Sequence, residues 1–169
     1  MPDRQAVTHV DPLAPHGPFH RAFLRFLGTR TARRLFTTKM MWRTDVRLMR
    51  LTGGRLGMGL LLPTGVLETR GARSGLTRRN VVIYFHDGEE VVIVASHAGA
   101  PAHPAWYHNA RSHPDVLFNG CPFRAEAAAE DDLPRLWSLA DQVFPVYATY
   151  REEASTAGRD IPVLRLLPS

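Results

Sequence analysis

"RNVVIYFHDGEEVVIVAS", Arg79 to Ser96, decides the fold. Two runs of β-branched and aromatic residues, Arg79–His86 and Glu89–Ser96, flank the pair Asp87–Gly88. Short apolar runs of this kind, bounded by turn signals, read as buried strands. Asp-Gly is a hairpin signal, because the tight turn needs positive φ at its centre. The stretch therefore reads as two antiparallel strands joined by a turn. Working outward, "GVLETR" (Gly65–Arg70) precedes it as a strand, and "DVLF" (Asp115–Phe118) follows. A turn at Asn119 and Gly120 leads to "FRAEAAAE", where Phe123, Ala125, Ala127 and Ala129 alternate with Arg124, Glu126 and Ala128. That is the period of a strand. "IPVLRLL" (Ile161–Leu167) supplies a sixth.

Two helices interrupt the strands. One runs from about Ala105 to Arg111 after Pro104, whose missing N–H is unpaired in a first turn anyway, and Pro114 stops it. The other is marked by Leu133, Leu136, Trp137, Ala140, Val143 and Phe144, with Asp131 or Asp132 placed to cap it. Six short strands, mostly hairpin-linked, with few helices suggest an α+β chain whose antiparallel sheet closes as a barrel. Residues 1–17, rich in Pro and His, are expected to form a loose arm, and 18–169 a single domain. Residues 18–50 carry a helical pattern: Phe19, Phe23, Phe26 and Leu27 share a face, and Lys39, Arg43, Arg47 and Arg50 form a basic stripe. Such a segment lies on an anionic membrane or, more often, packs its apolar face on its own domain.

The formal net charge is +5, and Lys39 is the only lysine among 21 basic residues, so arginine carries the positive charge. The planar guanidinium fork matches phosphate and carboxylate. An anionic partner is implied: a phosphorylated cofactor, nucleic acid or a membrane surface. Neither an aromatic-rich strand pair of the RNA-binding type nor a helix-turn-helix is evident, so nucleic acid is not expected. Cys121 is the single cysteine, which excludes an intrachain disulfide and a cysteine-type zinc site. Arg21 and Arg25 break the apolar run "FHRAFLRFLG", and no run approaches the ~20 residues that span a bilayer. The expected location is cytoplasmic, with peripheral membrane contact left open.

Candidate chemistry concentrates in two places. "SHAGAPAHPAWYHNARSHPD" (Ser96–Asp115) holds four of the eight histidines, and His103, His108 and His113 sit five apart. On a helix that spacing turns each about 140° away from the last, whereas metal-binding helices use spacings of three or four. No metal is expected. Ser96–Ala100, small-residued, leads into a helix start, which suits an anion and equally suits an ordinary strand–helix connection. The second place is "TRGARSGLTRR" (Thr69–Arg79), with Arg70, Arg73, Arg78 and Arg79, the hydroxyls of Ser74 and Thr77, and Gly71 and Gly75. Arginines, hydroxyls and glycine-exposed N–H groups are what a phosphate needs, although a solvated polar turn has the same look.

Five ordered segments carry a resemblance. "RLTGGRLG", "TRGARSG", "ASHAGAPAHPAWYHN", "FPVYATY" and "RDIPVLRLLP" stand in the order and near the spacing of the deazaflavin-dependent nitroreductase family, from about Thr52 to Pro168. The resemblance implies a split β-barrel with N-terminal and flanking helices, and an oxidoreductase that uses the 8-hydroxy-5-deazaflavin coenzyme, factor 420 (F420). By position it implies that Arg73, Ser74 and Arg78 contact the phosphate region. Asn80 and Val81 approach the ring, Ser96, His97, Ala98 and Gly99 line the loop, and Trp106 packs near the ring. Hydride would pass from the reduced deazaflavin to a quinone, an enone or a nitro-aromatic. Tyr147 is the first candidate donor to the acceptor and Tyr150 the second; packing of a helix on the barrel mouth is the alternative for both. The chain departs from the family pattern at Ala72 (usually arginine), His97 (commonly lysine or asparagine) and Phe144 (tyrosine in nitro-reducing members). A deazaflavin carrier without its own substrate, or a basic membrane-surface or nucleic-acid-binding protein, are the other readings.

Overall fold

The computed structural model describes residues 7–14, 17, 22–24, 26, 29 and 62–169. Six strands form a closed barrel: β1 (Thr64–Arg70), β2 (Thr77–Asp87), β3 (Glu90–Val94), β4 (Asp115–Phe118), β5 (Cys121–Ala127) and β6 (Val163–Pro168). Their order around the barrel is β1-β2-β3-β6-β5-β4, and every pair is antiparallel. Among residues 62–169 three α-helices flank it: α1 (Ala105–Ser112), α2 (Leu133–Val143) and α3 (Tyr147–Thr156). The expected α+β split barrel is therefore observed, with strand ends shifted by up to three residues.

The apolar hairpin has a simple physical basis. Val82, Tyr84, Val91, Ile93 and Ala95 join Leu67, Phe118, Phe123 and Leu166 in one core cluster. Their neighbours Ile83, Phe85, Val92 and Val94 join α2 and α3 in a second. Strand residues alternate faces, so Val82–Phe85 of β2 and Val91–Val94 of β3 are unbroken apolar runs because both faces are covered there, whereas residues 77–79 at the start of β2 are exposed. On β5 the outer face is solvated, which explains the alternation of Phe123 and Ala125 with Arg124 and Glu126.

The barrel closes at a short seam, Leu67 opposite Phe118 and Glu68 opposite Leu117. Asn119 extends it: its Oδ1 accepts the Val66 N–H at 2.8 Å, and its own N–H donates to the Val66 carbonyl at 3.0 Å. Asn119 and Gly120 both have positive φ (49° and 80°), as the tight Asn-Gly hairpin requires. Gly65 is needed for a different reason. A Cβ there would lie 2.2 Å from Cζ of Phe118, whose ring fills the space against β1.

Two expectations are corrected. Neither Asp131 nor Asp132 caps α2 with its side chain. Residues Glu130–Asp132 form a 3-10 turn, and the Asp132 carboxylate pairs with Arg165 at 3.0 Å and Arg135 at 3.4 Å. The N-terminal arm is not loose over residues 7–14. Val10 donates its N–H to Nδ1 of His86 at 3.0 Å and accepts the His86 N–H at 2.8 Å, while Thr8 accepts the Tyr84 hydroxyl at 2.9 Å. Residues 22–24 and 26 are helical. Apart from Thr29, the rest of the 18–50 segment, with its basic stripe, and the Gly-Gly at Gly53–Gly54 lie outside the described residues.

Candidate active site

The β1–β2 connection is built as a closed turn. Gly71 donates its N–H to the Leu76 carbonyl at 2.9 Å, and Gly75 donates to the Gly71 carbonyl at 2.8 Å. Gly75 sits at φ +67°, a conformation that glycine takes without steric cost. A Cβ on Gly71 would displace the Ser74 hydroxyl, whose Oγ would lie at 2.6 Å, and crowd the Leu76 carbonyl at 3.1 Å. The turn is tethered to α1 by Asn109, whose Oδ1 accepts the Ala72 N–H at 3.0 Å.

Between this turn, the start of β2 and α1 lies an open cleft of about 1180 Å³. The turn contributes Arg73 and Ser74, β2 contributes Arg78, Arg79 and Asn80, and α1 contributes Trp106, His108 and Asn109. Among the described residues of the lining Glu68 is the one carboxylate, and it is already bound to Arg79 at 3.0 Å. The field in the cleft is therefore positive, and Arg73 and Arg78 face it without a carboxylate of the lining to neutralise both. Trp106 adds a flat aromatic wall held in the barrel-end core cluster. Guanidinium groups, hydroxyls and an aromatic face together fit an elongated anionic molecule with a planar ring. The residues present thus suit a phosphorylated deazaflavin.

Of the residues expected to hold the coenzyme, Arg73, Ser74, Arg78, Asn80 and Trp106 are brought together here. Val81 is not: it lies on the next pleat, opposite Val66 in the strand register. Ser96, His97, Ala98 and Gly99 do not line this cleft either. They form a 3-10 turn in which His97, Ala98 and Gly99 all have positive φ (49°, 51° and 72°). Consecutive left-handed residues other than glycine are strained and persist only where surroundings enforce them. Arg159 supplies the enforcement, with its guanidinium on the carbonyls of Ala95 (3.3 Å) and Ser96 (2.7 Å) and on Nδ1 of His103 (3.2 Å). The turn also packs against α3, since a Cβ on Gly99 would lie 2.9 Å from Cβ of Glu153 and 3.4 Å from Cα of Tyr150.

Tyr147 and Tyr150 lie in the outer core cluster with Phe144, not in the cleft lining. Burial pushes the Tyr147 phenol well above the ordinary tyrosine range, with Tyr150 and Asp141 adding to it. Burial, assisted by Glu153, pushes Tyr150 up to about 12. Both hydroxyls therefore stay protonated at neutral pH. The Tyr150 hydroxyl is buried without a hydrogen-bond partner.

Sequence reasoning gave no role to Glu68, Asn109 or Arg159, and weighed His108 only as one of three histidines spaced wrongly for a metal. Arg79 stood in the basic loop as a charge, Asn109 in the "WYHN" segment and Arg159 in "RDIPV", but their partners lie far along the chain. Among the described residues no group of three or more His, Cys, Asp or Glu is placed to hold a metal ion. Nor is any described helix long and apolar enough to cross a membrane.

Comparison with known proteins agrees with this chemistry. The model of the F420H(2)-dependent quinone reductase family matches residues 40–168. An F420H(2)-dependent quinone reductase of Mycobacterium tuberculosis (strain H37Rv) is 34% identical over 137 residues, which cover 72% of this chain and 90% of that protein. Among solved structures, an F420-H2 dependent reductase is similar with a TM-score of 0.54 and 28% identity, over 62% of this chain and 93% of the other. A second, described as a domain-swapped dimer, has a TM-score of 0.55 and 26% identity, over 76% of this chain and 99% of the other.

Proposed function

The chain belongs to the F420H(2)-dependent quinone reductase family, and from that premise we propose that the arginine-lined cleft beside α1 is where it holds its coenzyme. The protein is an oxidoreductase that transfers a hydride from F420H2 to a quinone. The observation that carries the assignment is the convergence of Arg73, Ser74, Arg78, Asn80 and Trp106 on one cleft.

The bound deazaflavin supplies the hydride; the protein supplies placement and charge. Arg73 and Arg78, with the Ser74 hydroxyl, hold the phosphate of the tail through charge-assisted hydrogen bonds. Arg79 is restrained by Glu68 and adds to the positive field. Trp106 offers its face to the ring, and Asn80 offers an amide beside it. The Ser96–Gly99 turn, which leads through Pro104 to the helix that bears Trp106, and Val81 lie outside the cleft lining and are proposed only to support it. Tyr150, ahead of Tyr147, is the donor proposed for the reduced acceptor: its hydroxyl has no hydrogen-bond partner among the described residues. Because it lies buried outside the cleft lining, the proposal requires its side chain to turn toward the acceptor. A protonated phenol there gives a hydrogen bond to an oxygen that gains negative charge.

A further reading concerns where the quinone is met. Segment 18–50, with the stripe Lys39, Arg43, Arg47 and Arg50, is proposed to rest on an anionic membrane surface beside the 62–169 barrel. The sequence pattern supports it. Co-sedimentation with anionic and neutral vesicles tests it, and equal retention on both would remove it.

The function is tested by anaerobic oxidation of F420H2 with and without menadione, alongside fluorescence titration with F420 and with flavin mononucleotide. Quinone-dependent oxidation and tighter F420 binding are expected. Flavin mononucleotide binding as tightly as F420 would overturn the assignment of the cleft.

A further inference from the structure

We infer that Asn109 is a positioning residue for the coenzyme cleft, fixing the basic turn to the helix that carries Trp106 and so setting how Arg73 is presented. The inference rests on the assignment of the cleft as the coenzyme site. Asn109 is 9% exposed and both ends of its amide are used. Its Oδ1 accepts the Ala72 N–H at 3.0 Å, and its Nδ2 donates to the Thr69 hydroxyl at 3.2 Å. The orientation is unambiguous, because a backbone N–H only donates and must face the oxygen. Thr69 is buried in β1, at 2% exposure, and Ala72 opens the turn three residues later. One side chain therefore grips the last part of a strand and the first part of the turn that leaves it.

Its place on α1 gives that grip a consequence. Asn109 follows Trp106 by three residues, so the two share a helix face and both line the cleft. That amide hydrogen-bonds the basic turn to α1, beside the packing of Trp106 and Ala110 in the core and the β1–β2 pairing at the base of the turn. Arg73 follows Ala72 directly, and the Ala72 N–H is the turn's recorded tie to α1. The turn closes on itself through Gly71, Gly75 and Leu76, so it can move as one unit if that tie is lost. A moved turn carries Arg73 and Ser74 away from their alignment with Trp106, and a ligand that spans both walls loses the gain of a prearranged site.

The test is a binding cycle read by fluorescence titration with oxidised F420, without turnover. Asn109→Ala should weaken binding about tenfold, the scale of one or two lost hydrogen bonds in an aligned site. Arg73→Ala should cost wild type at least about tenfold but cost the Asn109→Ala background less than about threefold, because the arginine is no longer held in place there. Thr69→Val removes only the second bond, keeps the side chain's shape, and should weaken binding by about threefold. It carries the same cycle with Arg73→Ala should Asn109→Ala not fold. A merely structural asparagine would lower the melting temperature while folded protein bound F420 like wild type, and that result overturns the inference. So does an Arg73→Ala cost that is the same in both backgrounds. Wild type that fails to bind F420 removes the assignment of the cleft and this inference with it.

Discussion

Arg159 donates to the backbone carbonyl of Ser96 at 2.7 Å from 63 residues further along the chain. It is 6% exposed, its recorded partners are neutral, and its Nε is buried without one. A buried cation held only by carbonyls and an imidazole is costly, so its retention points to what it restrains. What it restrains is the left-handed turn His97–Gly99. Arg159→Met should destabilise the fold by about 3 kcal/mol, because two carbonyls lose charge-assisted bonds. Arg159→Lys should recover only part, since one ammonium cannot span both oxygens. Urea unfolding checks both, and a midpoint unchanged in Arg159→Met would contradict the clamp.

The arm formed by residues 7–14 should undock in acid. Burial lowers the His86 pKa from 6.5, with repulsion from His9 adding to it. Nδ1 of His86 must be unprotonated to accept the Val10 N–H. A depressed folded-state pKa means that the contribution is present above pH 6.5 and is lost as pH falls through the folded value. Hydrogen exchange at the Val10 amide should therefore lose protection between neutral pH and about pH 5, beyond the change in intrinsic exchange rate. Constant protection over that range would show that the arm is held without the imidazole, by Val7 and Val10 packing and by the Tyr84 hydroxyl and His86 N–H bonds.

Tyr150→Phe should give a protein that is more stable and slower. Removing a buried hydroxyl that lacks a partner relieves a desolvation cost, so the melting temperature should rise, by about 1 kcal/mol of stability. If that hydroxyl donates to the reduced acceptor, turnover with menadione should fall by about tenfold to a hundredfold. Tyr147→Phe should have a smaller effect on turnover. A stabilised Tyr150→Phe variant with wild-type turnover would return the pair to packing against Phe144 and Trp137.

Arg73→Ala should weaken F420 binding about tenfold to a hundredfold with the fold intact, the scale of one lost bond to a charged group. Arg73→Lys should recover part of it. Added salt should weaken wild-type binding more than that of Arg73→Ala. Equal affinity of wild type and Arg73→Ala would move the phosphate to Arg78 and Arg79.

Six strands, the Asp87–Gly88 and Asn119–Gly120 turns, and α1 with its flanking prolines were legible in the sequence, because alternation and turn chemistry act over a few residues. The basic turn was legible in its arginines, hydroxyls and glycines, and Trp106 only through the family resemblance. Contacts between distant residues were not. His86 and Val10 are 76 residues apart, so the Pro- and His-rich arm read as loose until the barrel placed an imidazole beside it. Asp132 read as a cap because its partners Arg165 and Arg135 depend on how β6 and α2 meet. Asn109 reaches Thr69 across 40 residues and Arg159 reaches Ser96 across 63, and neither pairing has a local signal. Barrel closure decided which buried polar groups face one another, and the Asn109 amide, meeting Ala72 and Thr69 there, holds the basic turn against α1.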